Sequence, residues 1–367
     1  MGFDVRKNPY TLQFSYIPPK FIERSLITSE IMDNYLRDVP TYRGMFITGV
    51  RGSGKTVLMG NIRNRIAELK EWITIDLNPE SELLDSLARE LYMIPEMKAL
   101  FVKAKLDLSV LGIGVHIENA QLVASSSEDA VKMMLKVLKK ARKKLLVTID
   151  EVTYSKDMAL FSHALSSYAS ADLDIFLLMT GLLDNIKNIR NKESLTFLYR
   201  AKVKELDSLN ITAVTGDYQN TLMLEREEAE KLAYETKGYS LAFQTLGHIC
   251  WEKLSKCGKF KAVDYDGMMN EFYSTLADLA YDKIWDELSA TDKKVLASLV
   301  KLKGMEGEES VRVESIRKDL NMSSDTFTKY RSRLLDAGIV SASEHGFLRL
   351  KLPKFDTYIR EAQGRFR

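Results

Sequence analysis

Between residues 44 and 181 two apolar patterns alternate along the chain. Short β-branched runs at 44–49, "WITIDL" (72–77), "LLVTIDE" (145–151) and "DIFLLMTG" (174–181) read as strands. Segments with helical spacing separate them, at about 54–69, 79–94, 125–144 and 157–169. The 79–94 segment starts at a proline with acids in its first turn, and 125–144 opens on serines and closes on basic residues, both helix-end signals. Ahead of them, 1–30 is an irregular arm holding three of the seven prolines, leading into a helix near 28–38. Residues 105–118 alternate strictly around a Gly-x-Gly and predict an inserted β-hairpin.

Strands alternating with helices predict an α/β fold with a mostly parallel sheet covered on both faces. The strand signal fades from about 182. Residues 205–285 read as an all-α lid, and 286–367 restart with "LSATDKKVLASLVKL" as a third domain. The expected division is therefore 1–204, 205–285 and 286–367.

The strand at 44–49 runs into Gly49-Val50-Arg51-Gly52-Ser53-Gly54-Lys55-Thr56, which fits G-x-x-x-x-G-K-[ST]; these eight residues and Val57, next in the helix, are the candidate nucleotide-binding residues. Phosphate oxygens are met by backbone N–H groups, so the chain must curl tightly around them, and glycine permits that curl. The helix start adds a positive dipole end. In this pattern Lys55 bridges the β- and γ-phosphates of ATP and the Thr56 hydroxyl ligates Mg²⁺.

The run 145–151 delivers Asp150 and Glu151 to the C-terminal edge of a strand, where α/β sheets bind ligands. Asp150 is the candidate metal ligand, and Glu151 the group that orients or deprotonates the attacking water. Thr180 ends the next strand and is a candidate sensor of the γ-phosphate. Arg200, in "TFLYRAKVKELDSL", offers a fixed charge and forked donors to a phosphate of its own or a neighbouring subunit.

Residues 311–352 read as helix, turn, helix and a two-stranded wing, similar to winged-helix domains. Phe327, Tyr330 and Leu334 share a core-facing stripe; Thr326, Lys329 and Arg333 share the opposite face. His345-Gly346 marks the wing turn, and Arg349 and Lys351 follow. Residues 289–367 hold 16 Lys+Arg against 11 Asp+Glu, net +5, where the whole chain carries +2. A positive face of this kind suits duplex DNA phosphates.

Composition adds boundaries. At 367 residues, 45% hydrophobic and 28% charged, the chain has apolar material for more than one core. No leader-like or membrane-length apolar run is present, and no Cys/His cluster has metal-site spacing. Cys250 and Cys257 stand seven apart in a predicted helix, about 10 Å, too far for a disulfide. A reducing cytoplasm and no membrane partner are expected.

Taken together, these pieces resemble the P-loop ATPases of the AAA+/STAND group, in the layout of origin-recognition initiators, over roughly 8–345. "NPY" with "PPKFIER" looks like the group's arm near the adenine, with Arg24 matching and Glu23 replacing a usual glycine. "GVRGSGKT" and "VTIDE" match the two Walker motifs. "FLYRAKVKELDSL" is similar to the group's arginine and Leu-x-x-Leu segment. "TKGYSLAFQTLGHICW" (236–251) resembles the lid stretch, with Ser240 where proline is usual. The resemblance implies an ATP/ADP-binding switch, using ATP and Mg²⁺, that couples nucleotide state to DNA. The alternative is a nucleotide-dependent signalling scaffold whose winged helix meets a protein partner. If Arg200 acts in trans, self-assembly to at least a dimer follows. No acceptor-substrate motif accompanies the glycine turn, which argues against a metabolic kinase.

Overall fold

A computed structural model describes all residues except 1–3, 14–15, 110–111, 113–121, 193–194, 307–308, 343 and 366–367. Contacts divide it into two compact units. The sheet unit comprises 24–48 and 55–205; the helical unit comprises 4–23, 49–54 and 206–365 of the described chain.

The sheet unit runs α1 (Ser25–Leu36), β1 (Gly44–Thr48), α2 (Lys55–Ala67), β2 (Trp72–Leu77), α3 (Leu83–Met93), α4 (Pro95–Lys103), β3 (Leu106–Asp107), β4 (Leu122–Val123), α5 (Ser127–Lys140), β5 (Lys144–Ile149), α6 (Lys156–Ser170), β6 (Ile175–Gly181), α7 (Leu183–Arg190), α8 (Thr196–Tyr199) and β7 (Lys202–Glu205). Its five-stranded sheet has the order β2-β5-β6-β1-β7, parallel throughout. β1 and β6 are buried at every position and β5 at all but its first, as expected of strands covered on both faces. Their registers matter for the site. Ile47 lies beside Thr180 and Ile149 beside Met179, so Asp150 and Thr180 emerge together at one sheet edge.

Two elements differ from the sequence reading. The helix expected from 79 starts at Leu83, because Pro79 sits in a turn closed by Asn78. The Asn78 side chain accepts from the Glu80 N–H at 3.0 Å and its carbonyl from the Ser81 N–H at 3.1 Å, a job asparagine does well. The strand signal did not end at 181: β7 adds a fifth strand, Lys-Val-Lys-Glu, with its two end residues exposed. The hairpin expected at 105–118 falls largely outside the described residues; what is described is a short parallel pairing of β3 with β4.

The helical unit runs α9 (Ile211–Thr221), α10 (Arg226–Glu235), α11 (Ser240–Cys257), α12 (Tyr265–Leu276), α13 (Asp282–Glu287), α14 (Ala290–Glu306), β8 (Val311–Arg312), α15 (Val313–Asp319), α16 (Ser324–Asp336), β9 (Val340–Ser341), β10 (Phe347–Leu350) and α17 (Phe355–Arg365). α15, α16 and the antiparallel strands β8-β10-β9 form the helix-turn-helix and wing. The Ser323 hydroxyl accepts from the Thr326 N–H and caps α16. One apolar core runs from α9 to α17. The N-terminal arm joins it. Tyr10 is buried in a notch at Gly247, where a Cβ would lie 2.6 Å from its ring, and its hydroxyl donates to Asp217 at 2.6 Å. Gln244 on α11 accepts from the Thr11 N–H and donates to the Lys20 carbonyl, so one side chain holds the arm at two points. Among the described residues no helix is long and apolar enough to cross a membrane.

Candidate nucleotide-binding site

In the sheet unit, α2 begins at Lys55, which is 9% exposed. Thr56, the next residue, donates its hydroxyl to Asp150 Oδ2 at 2.7 Å. Thr180 donates its own hydroxyl to Asp150 Oδ1. The Glu151 N–H donates to Asp150 Oδ1 at 3.1 Å and to Thr180 Oγ1 at 3.1 Å. That last geometry requires Glu151 to take φ +52°, a conformation uncommon outside glycine and asparagine, and it leaves the Glu151 residue exposed. Two hydroxyls and one amide thus converge on one carboxylate.

Thr180, the candidate γ-phosphate sensor, is fully buried; its hydroxyl donates to Asp150 and accepts from the Glu151 N–H. Arg200 follows α8 as an exposed residue, ahead of β7. Arg24 occupies the N-cap position of α1 and is half-buried. Val57 lies half-buried in the first turn of α2.

The glycine turn, 49–54, belongs to the helical unit. Gly52 and Gly54 take φ +76° and +90°, so the curl needs the missing Cβ at both positions. The turn is closed by the Ser53 N–H donating to the Val50 carbonyl at 3.1 Å. Arg51 extends to Glu287, the last residue of α13, at 3.1 Å. Val50 packs near Gly338, just after α16, where a Cβ would come within 3.2 Å of its own. The sequence reading missed Tyr239, whose hydroxyl donates to the Arg51 carbonyl, and the hydroxyl role of Ser240, which donates to the Ser53 carbonyl at 2.8 Å. The only signal was the departure from proline at 240.

On α16, Phe327 and Leu334 are buried and Tyr330 is half-buried. Thr326 and Lys329 are exposed. Arg333, expected beside them, reaches instead to Asp292 at 3.0 Å. Asp292 is 1% exposed, and a carboxylate that buried needs a partner. Its Oδ2 also accepts from the Ser289 hydroxyl and N–H at the start of α14. On the wing, exposed Arg349 donates to the Ser341 hydroxyl at 3.0 Å, and Lys351 is half-buried.

Known structures agree with this architecture. The ADPNP–ADP complexes of the ORC2 protein from Aeropyrum pernix match 96% of this chain and 98% of theirs, with TM-score 0.61 at 15% identity. The fold of this chain is that of the ORC2 protein. The ADP form of the same ORC2 protein gives TM-score 0.53 at 15% identity, over 96% and 97% of the two chains. Cdc6p from Pyrobaculum aerophilum, at 12% identity, gives 0.48 over 97% and 98%. Residues 279–359, from just before α13 into α17, match a domain of unknown function, DUF8462. No curated protein matches the sequence.

Among the described residues, no three His, Cys, Asp or Glu side chains gather as a ready metal site. Thr56 and Asp150 together supply one hydroxyl and one carboxylate. That small hard-oxygen set suits Mg²⁺, which keeps waters and takes its remaining ligands from substrate phosphates.

Proposed function

We propose that the chain is a cytoplasmic ATP-binding and ATP-hydrolysing switch that couples its nucleotide state to DNA through the C-terminal winged helix. The Asp150 corner carries the reading. Its carboxylate is bonded to the Thr56 hydroxyl, directly after the P-loop lysine, and its neighbour Glu151 is exposed. Mg²⁺, bound with the nucleotide, neutralises phosphate charge. Thr56 and Asp150 would hold it. Lys55 offers its ammonium to the phosphate oxygens, and the amides of the glycine turn meet them from the backbone. Glu151 orients the water and takes its proton. Arg24 serves the nucleotide through the arm, and exposed Arg200 suits a phosphate on a neighbouring copy, which makes assembly a condition of turnover.

Lys55→Ala removes the invariant lysine of the motif pattern and is expected to abolish measurable ATP binding by calorimetry; wild-type affinity in that variant would sink the assignment. For the winged helix, Thr326, Lys329, Arg349 and Lys351 are the proposed duplex-DNA contacts, with Arg333 supporting the helix that presents them. A second reading, a nucleotide-dependent scaffold meeting a protein partner, gains from the pairing of Arg333 with Asp292, which takes one cation out of the face. The two separate on salt: phosphate contacts give a steep fall of affinity with ionic strength. Wild-type protein that ignores duplex DNA at low salt, with and without ATP, selects the scaffold.

A further inference from the structure

Three successive carbonyls of the glycine turn are held from one place, the start of α11. The Tyr239 hydroxyl donates to the Arg51 carbonyl, the Leu241 N–H to the Gly52 carbonyl at 3.0 Å, and the Ser240 hydroxyl to the Ser53 carbonyl at 2.8 Å. All of these groups belong to the helical unit. A trans peptide is planar, so a carbonyl and the N–H of the next residue point in opposite directions. Holding the Arg51 carbonyl therefore aims the Gly52 N–H, and holding the Ser53 carbonyl aims the Gly54 N–H. Neither amide has an acceptor among the described residues. The Ser53 N–H, between them, is already spent on Val50. Gly52 and Gly54 are also the conformationally freest residues of the turn, so without these bonds their peptide planes would have the most to lose on ordering.

We propose that Tyr239 and Ser240 are positioning residues for phosphate recognition: their hydroxyls orient the Gly52 and Gly54 amides so that both are aimed before a phosphate arrives. The inference rests on the nucleotide reading above and names two residues of that site. The fit is close. A Cβ on Gly52 would lie 2.3 Å from the Tyr239 hydroxyl, and one on Gly54 would lie 3.2 Å from the Ser240 hydroxyl. Burial raises the Tyr239 pKa above the ordinary tyrosine value, so its hydroxyl stays a donor at working pH. A proline at 240, as in the lid stretch this segment resembles, would carry no hydroxyl. Serine there adds a donor that reaches the turn.

The test compares ADP with inorganic pyrophosphate, a ligand without base or ribose, on the full chain by calorimetry. Tyr239→Phe and Ser240→Ala each remove one hydroxyl and are expected to weaken both ligands by about fivefold to tenfold, the loss of a single hydrogen bond. The double variant is expected to lose about fiftyfold for both if the two sites add. Ser240→Thr restores the hydroxyl and is expected to bind as wild type. Ligand-free melting temperatures should stay within a few degrees of wild type in each single variant. A fall in ADP affinity with pyrophosphate affinity unchanged would overturn the inference, since the effect would then lie at the base or ribose. So would wild-type affinities in the double variant. Wild-type protein that binds neither ligand would overturn the nucleotide reading itself.

Discussion

Two carboxylates, Asp150 and Asp292, are each held by three bonds, and the difference between their partners separates chemistry from structure. Asp150 is held by neutral donors: the Thr56 and Thr180 hydroxyls and the Glu151 amide. They fix its direction and leave its charge. Asp292 is held by the Ser289 hydroxyl and amide and by the Arg333 guanidinium, which cancels the charge in place. A positioned, uncancelled carboxylate suits the cation proposed for it above. A positioned, cancelled one is a fastening between α14 and α16. The same side chain thus acquires opposite uses according to whether its third donor carries charge.

The comparison breaks most sharply at Asp150. Asp150→Asn removes the charge in the same outline, and ATP hydrolysis is expected to fall at least about a hundredfold, with Mg²⁺ no longer strengthening nucleotide binding. Its urea midpoint should move little. Retained Mg²⁺ dependence would make Asp150 a fastening of the Asp292 kind. Next in size is Glu151→Gln. It should lower kcat by about 10²-fold or more while ATP affinity stays put, because a general base acts on the water and not on binding. A matched loss of affinity would mean that Glu151 holds the corner together.

For the other carboxylate the readout is stability. Arg333→Ala leaves Asp292 charged, buried and without its cation, and is expected to cost about 1–3 kcal/mol, below the range for a fully buried pair because Arg333 itself is partly exposed. Adding Asp292→Asn should recover part of that loss. A strictly additive double variant, measured by denaturant unfolding, would show that the pair is not coupled. Smallest is Lys329→Ala, on the exposed side of α16. Stability should change by less than about 0.5 kcal/mol, and the slope of duplex-DNA affinity against salt should fall by about 1. If Arg333→Ala flattened that slope as much as Lys329→Ala does, Arg333 would be a phosphate contact after all.

Much of the sheet unit could be read from local pattern, and the reason is physical. A parallel strand buried on both faces must be a nearly continuous apolar run, so β1, β5 and β6 announce themselves. The glycine turn announces itself because a positive φ at Gly52 and Gly54 restricts the residue type wherever the chain folds that way. Asp150 and Glu151 follow from their place one step beyond such a run. What tertiary structure decided is where unremarkable polar residues spend their bonds. Lys202-Val203-Lys204-Glu205 carries no apolar run and becomes a strand only because β1 offers it an edge. Thr180 looks equally suited to a ligand or to a neighbour, and the register of β6 beside β5 commits it to Asp150. Arg333 lies on the predicted outer face of α16, yet the buried charge of Asp292, 41 positions earlier, draws it back. Tyr239 and Ser240 bond to carbonyls nearly 190 positions away. Helical and strand periods report which face of an element avoids water. They carry no information about which of several polar partners packing will bring within 3 Å, and that choice was left to the fold.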